Sequence, residues 1–63
     1  MKYSELEKLL KEKTNSLFYK NGSRHPIWKN PDTGELFEMS YHKNQEVKKG
    51  TLNNILKKSG AKD

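Results

Sequence analysis

The sequence predicts a small α+β domain in the order αβββα, a three-stranded antiparallel sheet with both helices on one face. Three observations predict it. Apolar residues recur at helical spacing near both ends of the chain. Short stretches of strand-like residues fill the middle. Turn-forming residues separate those stretches at intervals too short for a crossover.

The first helix spans residues 3–13, YSELEKLLKEK. Ser4 and Glu7 have capping-box spacing, in which each side chain satisfies a free backbone N–H at a helix start. Leu6, Leu9 and Leu10 form one apolar stripe, and Lys8, Lys11 and Glu12 fall on the other side. A first strand covers residues 17–20, LFYK. Asn21 and Gly22 follow as the turn signal, both tolerant of positive φ. Ile27, Trp28 and Lys29 form a second strand. Pro26 has no N–H for the ladder, so it belongs at the first position of that strand, at a bulge or facing away from the sheet. It also pushes His25 toward extended geometry. Residues 30–34, NPDTG, make a second turn, with Pro31 preset for its second position. Residues 35–41, ELFEMSY, make a third strand whose alternation selects Phe37, Met39 and Tyr41 as the inner face. A polar loop, 42–50, has Val47 as its anchor. The final helix, TLNNILKKSG, carries Leu52, Ile55 and Leu56 as a second stripe, cationic Lys57 and Lys58 in its last turn, and Gly60 as its C′ residue. Residues 60–63 read as a frayed tail of the single domain 1–63. Tight turns force an antiparallel meander, and the element order is that of the double-stranded RNA-binding domain.

Composition limits what such a domain can do. The chain has 63 residues, of which 30% are hydrophobic and 33% charged. A core this small leaves no room for a deep substrate cavity, so function belongs at a shallow site or an interface. Cysteine is absent, which excludes a disulfide framework, a Cys-ligated zinc site and a thiol nucleophile. No apolar run reaches the length of a membrane span, and the N-terminus has no signal-peptide core. These features predict a soluble cytoplasmic protein without membrane contact.

The net charge of +5 is unevenly spread. Residues 20–30 hold Lys20, Arg24 and Lys29 with no acid. Residues 31–42 hold Asp32, Glu35 and Glu38 with no Lys or Arg. Residues 43–62 hold six Lys against Glu46. Two basic segments around an acidic one suggest a polyanion-binding surface, although many small soluble domains carry such a charge.

Histidine is the side chain that titrates nearest neutrality, and the chain has two, His25 and His42. His25 closes the segment Gly22-Ser23-Arg24-His25. Glycine permits close backbone approach, Ser23 offers a hydroxyl, and Arg24 offers a planar fork for phosphate. Lys20 and Lys29 flank the segment. RNA cleavage requires removing a 2′-OH proton, stabilising charge on the crowded phosphorus, and protonating the leaving 5′-oxygen. This segment holds a minimal kit for that chemistry. A lone histidine at a strand start is, however, more often an ordinary surface residue. His42 fits a second proton donor, a phosphate contact or a loop residue. Two histidines without an acid pair make a poor metal site, so neither metal nor cofactor is expected. Trp28, Phe18, Tyr19, Phe37 and Tyr41 are able to stack on bases, but a domain this small needs most of them in its core.

The whole pattern resembles the HicA-like toxins, mRNA interferases of toxin–antitoxin pairs. The resemblance runs from Tyr3-Ser4-Glu5-Leu6 through Gly22-Ser23-Arg24-His25 and Ile27-Trp28 to Lys49-Gly50-Thr51-Leu52, Ile55-Leu56-Lys57 and Gly60. It implies a fold like the double-stranded RNA-binding domain and metal-independent cleavage of mRNA by a histidine in the glycine–serine segment. It also implies inhibition by a HicB-like antitoxin that covers the site. Carried onto this chain, it makes His25 the catalytic residue and Gly22 the shaper of its turn. Lys20, Gly22, Ser23, Arg24, Lys29 and His42 are then RNA-binding candidates. The chain departs from the family in placing Arg24 where many members have a second histidine. Pro26 also stands next to the catalytic position, and a common proline before His42 is missing. The glutamates of the third strand are expected to lie away from the RNA. Two rival readings share the same charge: a non-catalytic RNA-binding module, and a domain whose basic face meets an acidic protein.

Overall fold

In the computed structural model, which describes residues 1–61, the elements are α1 (Tyr3–Lys13), β1 (Leu17–Asn21), β2 (Pro26–Asn30), β3 (Glu35–Glu38) and α2 (Lys49–Ser59). The strands form one antiparallel sheet in the order β1-β2-β3, so the αβββα expectation holds.

Register explains which side chains reach the core. Phe18, Trp28 and Phe37 stand in one cross-strand row. Trp28 and Phe37 in that row are buried against Leu6, Leu10 and Ile55 from the two helices, with Tyr3, Met39 and Val47 completing the core. Leu9, Leu52 and Leu56 flank it half-buried. Both predicted stripes therefore pack on one sheet face. The rows Leu17–Lys29–Leu36 and Lys20–Ile27–Glu38 alternate with the buried row and point to the open face. A bulge between Phe18 and Lys20 places Tyr19 as an extra residue on edge strand β1.

Four local expectations change. The capping box lies two residues earlier: the Lys2 N–H donates to Glu5 at 2.9 Å. The Tyr3 and Ser4 N–H groups instead donate to the carbonyls of Gln45 and Lys43 at 3.1 and 3.0 Å. This frees Glu7 to pair with Lys43 and Lys11. The third strand ends at Glu38. Phe37 and Met39 are buried as predicted, but Tyr41 lies beyond the strand and is 46% exposed. Gly22 has no positive φ, so the chain does not reverse at Asn21-Gly22. It reverses through Ser23-Arg24, and the Gly22 N–H donates to the His25 carbonyl at 3.0 Å. The last helix begins at Lys49, two residues before Thr51.

The far end of the sheet is tied to α2 by buried polar groups. The Asn30 side-chain amide donates to the Lys58 carbonyl at 2.9 Å, and the Ser16 hydroxyl donates to the Ser59 carbonyl at 2.9 Å. Both occupy carbonyls that a helix end leaves free. Gly60 closes α2 with φ +88°, the left-handed cap the sequence predicts. Within the tail expected at 60–63, Ala61 packs against the core, and Lys62 and Asp63 lie outside the described residues.

Candidate active site at the β1–β2 turn

The turn between β1 and β2 is built around one close approach. A Cβ on Gly22 would stand 2.4 Å from the His25 carbonyl oxygen. Glycine is required there by contact, not by a left-handed backbone. Asn21 pairs with Pro26 at the base of the turn. The Pro26 carbonyl accepts the Met39 N–H at 2.9 Å, which places this side of Pro26 toward β3. A residue's N–H and C=O point to the same side of a strand, so the donor that proline lacks lies past Glu38, where β3 has ended. Pro26 thus begins β2 without breaking a bond in the sheet. The Tyr41 hydroxyl braces the turn from outside, 3.0 Å from the Gly22 carbonyl and 3.3 Å from the Asn21 side-chain oxygen.

This construction leaves His25 half-exposed at the wall between two hollows. The larger, about 480 Å³, is lined by Lys20, Gly22, Ser23, Arg24, His25, Ile27 and Glu38. The smaller, about 270 Å³, is lined by Tyr3, His25, Glu38, Met39, Gln45, Glu46, Lys48 and Thr51. His25 and Glu38 belong to both. The His25 Nδ1 is 3.9 Å from a Glu38 carboxylate oxygen. Glu38 reaches this place through register: it pairs with Ile27, two residues after His25.

Of the residues singled out from sequence, the structure brings Lys20, Gly22, Ser23, Arg24 and His25 into one hollow. Lys29 lies further along the open face, with its ammonium 5.3 Å from the Tyr19 ring centre. His42 lines neither hollow; its N–H donates to the Ser40 hydroxyl and its carbonyl accepts the Gln45 N–H. Glu38 is the neighbour that sequence reasoning missed. It stands beside His25, where an expectation based on charge alone set the strand-three glutamates apart. Tyr41 was missed as well, because strict alternation assigned it to the core.

The opposite side of the smaller hollow is held by charge pairs. The N-terminal ammonium meets Glu46 at 2.8 Å, which raises the ammonium above its ordinary pKa and lowers the carboxylate below its own. Glu7 is held below the usual carboxylate range, first by its hydrogen bond to Lys43 and then by Lys11. Among the described residues, no group of three or more His, Asp and Glu is placed to hold a metal ion. No described helix is long and apolar enough to cross a membrane.

No curated protein and no solved structure matches this chain, so the likeness to the double-stranded RNA-binding domain rests on element order alone. A family model does match, over residues 3–61, that of the HicA toxin of bacterial toxin–antitoxin systems. That span takes in both helices, all three strands and the histidine turn. The chain therefore belongs to the HicA toxin family, the toxins of two-component systems in which the partner is an antitoxin.

Proposed function

We propose that this toxin is an endoribonuclease that cuts mRNA by acid–base chemistry at His25. The observation that carries the reading is the placement of one half-exposed imidazole on the wall between two hollows, beside Lys20 and Arg24. The family resemblance implies the same activity. In the proposed reaction, His25 takes the proton from a ribose 2′-OH as that oxygen attacks the adjacent phosphorus. The bond to the 5′-oxygen breaks, and the imidazolium returns a proton to the leaving group. Lys20 and Arg24 offset the charge that builds on the phosphate oxygens. Glu38 lies on the Nδ1 side at 3.9 Å, too far for a hydrogen bond but close enough to favour the imidazolium, so Nε2 is the nitrogen directed at the RNA.

Domain, location and partner follow from the same reading. The whole chain, 1–63, acts as one domain in the cytoplasm, where its mRNA substrate is found. A HicB-like antitoxin silences it by covering the His25 turn. The reaction as written uses no metal or other cofactor.

Paired induction of wild-type and His25→Ala chains in a bacterial host tests the assignment, with growth and mRNA integrity followed together. Growth arrest and mRNA loss are expected from the wild type alone. Loss of the general acid–base lowers the rate by about 10²–10⁴-fold. Glu38→Gln is expected to retain binding and to lose part of the turnover. Equal mRNA loss from wild type and His25→Ala would move the chemistry away from His25. RNA that is bound but never cut would favour the non-catalytic RNA-binding module.

A further inference from the structure

We propose that the open face of the sheet is a track for single-stranded RNA, on which Tyr19 is a base-stacking platform and Lys20 and Lys29 hold the adjoining phosphates. The proposal rests on the reading of the chain as a ribonuclease and names the surface that carries the substrate to His25.

Among the aromatic side chains, Tyr3 is buried in the core. Trp28 and Phe37 are each 3% exposed and fill the core. Phe18 is 46% exposed, but it shares their row on the helix side, and the two cation–ring contacts are with Tyr19 instead. The Tyr41 hydroxyl is committed to the β1–β2 turn. Tyr19 has no such duty. It is the extra residue of the bulge, it is 51% exposed, and neither hydroxyl nor ring takes part in the core. Two ammonium groups stand around its ring, Lys29 at 5.3 Å and Lys20 at 6.0 Å from the centre.

This arrangement suits a nucleotide chain. Stacking needs an exposed π-face, and the flanking phosphates need mobile cations within reach. Both lysines contact the ring near the outer limit of a cation–π interaction, so a stacking base displaces one of them at little cost and frees it to pair with phosphate. The rows on this face carry one carboxylate, Glu38, and it stands at the His25 end. Lys20 also lines the larger hollow beside His25. A strand stacked on Tyr19 is therefore continuous with the candidate site. An acidic protein is the competing occupant of such a face, but the bulge-exposed ring between two cations fits a base between two phosphates more directly.

The test is binding of a short 2′-O-methyl oligonucleotide, which lacks the 2′-OH and so resists this cleavage. Wild type, Tyr19→Phe, Tyr19→Leu and His25→Ala are compared by fluorescence anisotropy, with circular dichroism to establish folding. Tyr19→Leu keeps an apolar side chain on the edge strand and is expected to bind about tenfold more weakly, whereas Tyr19→Phe binds as the wild type does. Scanning one abasic site along the oligonucleotide is expected to weaken the wild type at one position and to leave Tyr19→Leu unaffected there. Wild-type affinity in Tyr19→Leu, or abasic sites that act equally on both chains, overturns the platform even if His25-dependent cleavage stands. Unchanged RNA affinity together with lost binding of an antitoxin assigns the face to a protein partner, and also overturns it. A wild-type chain that binds no oligonucleotide at low salt removes the ribonuclease reading itself.

Discussion

The two ends of β2 are built in opposite ways. At the Asn30 end, the side chains of Ser16, Asn30 and Ser59 are buried, and each meets a backbone carbonyl or N–H. Asn30 and Ser16 occupy carbonyls at the end of α2, and the Asn30 side-chain oxygen accepts the Asp32 N–H at 3.0 Å. At the Pro26 end, the polar groups are left exposed. Ser23, Arg24 and His25 project from the turn, and the braces are the exposed Tyr41 hydroxyl and the Gly22–His25 hydrogen bond. Buried, satisfied polar groups fix a fold, because each would cost free energy if its partner were removed. Exposed groups on a rigid turn are free to act on something else. One end of the strand thus holds the domain together, and the other presents the chemistry.

Substitution at Gly22 should separate the two roles most sharply. In Gly22→Ala the new methyl group would overlap the His25 carbonyl, so the turn must open and carry the imidazole with it. A displacement on the order of 1 Å at a catalytic group lowers rate by about 10²-fold. The domain core lies beyond this turn, so the fold should survive with a loss of about 1–2 kcal/mol. RNA cleavage kinetics and a thermal melt on the same sample check both numbers. Full activity in Gly22→Ala would show that the turn does not set the position of His25.

The same contrast explains what was legible in the sequence. The leucine stripe of α1, the Leu52/Ile55/Leu56 stripe, the NPDTG turn and Gly60 were all readable because each depends on local spacing and backbone preference. The shifted capping box was not. Ser4 and Glu7 have the right spacing, but the Lys43 carbonyl takes the Ser4 N–H that Glu7 would serve in such a box. Tyr41 was misplaced because alternation was carried past Glu38, where β3 ends. The burial of Ser16, Asn30 and Ser59 depends on how α2 packs on the sheet, and no local pattern announces it. For the candidate site, the segment from Lys20 to His25 was visible as a basic stretch ending in histidine. Its second wall was not, since Glu38 comes beside His25 only through the Ile27–Glu38 register.

Asn30 offers the converse experiment. Asn30→Ala removes the donor to the Lys58 carbonyl and the acceptor for the Asp32 N–H at a residue 4% exposed. Leaving such partners unmet should cost about 2 kcal/mol. For a domain of this size that lowers Tm by about 10 °C. Cleavage per folded molecule should be unchanged below the transition, because the His25 turn lies at the other end of β2. Calorimetry and active-site titration together decide the matter. A catalytic loss that persists in fully folded Asn30→Ala would mean that the two ends are coupled through the strand.

The smallest expected effect tests the contact between α1 and the loop that walls the smaller hollow. Glu7 pairs with Lys43 of that loop and with Lys11 one turn along its own helix. These cations hold its carboxyl below the usual range, so the folded state binds this proton less readily than the unfolded chain does. The pair's contribution is therefore fully present above the ordinary carboxylate pKa and is lost as pH falls through the lowered value. Glu7 is mostly covered but Lys43 is half-exposed, which limits the contribution to about 1 kcal/mol. Glu7→Gln should accordingly melt a few degrees below wild type at neutral pH, and the difference should shrink as acid titrates the wild-type carboxylate. A difference that stayed constant from neutral pH into the acid range would trace the loss to packing of the side chain instead of its charge. Chemical shifts of Gln45 and Thr51 should move in Glu7→Gln while those of Ser23 and Arg24 stay fixed, since the charge pair supports the loop side of the His25 wall and not the turn side.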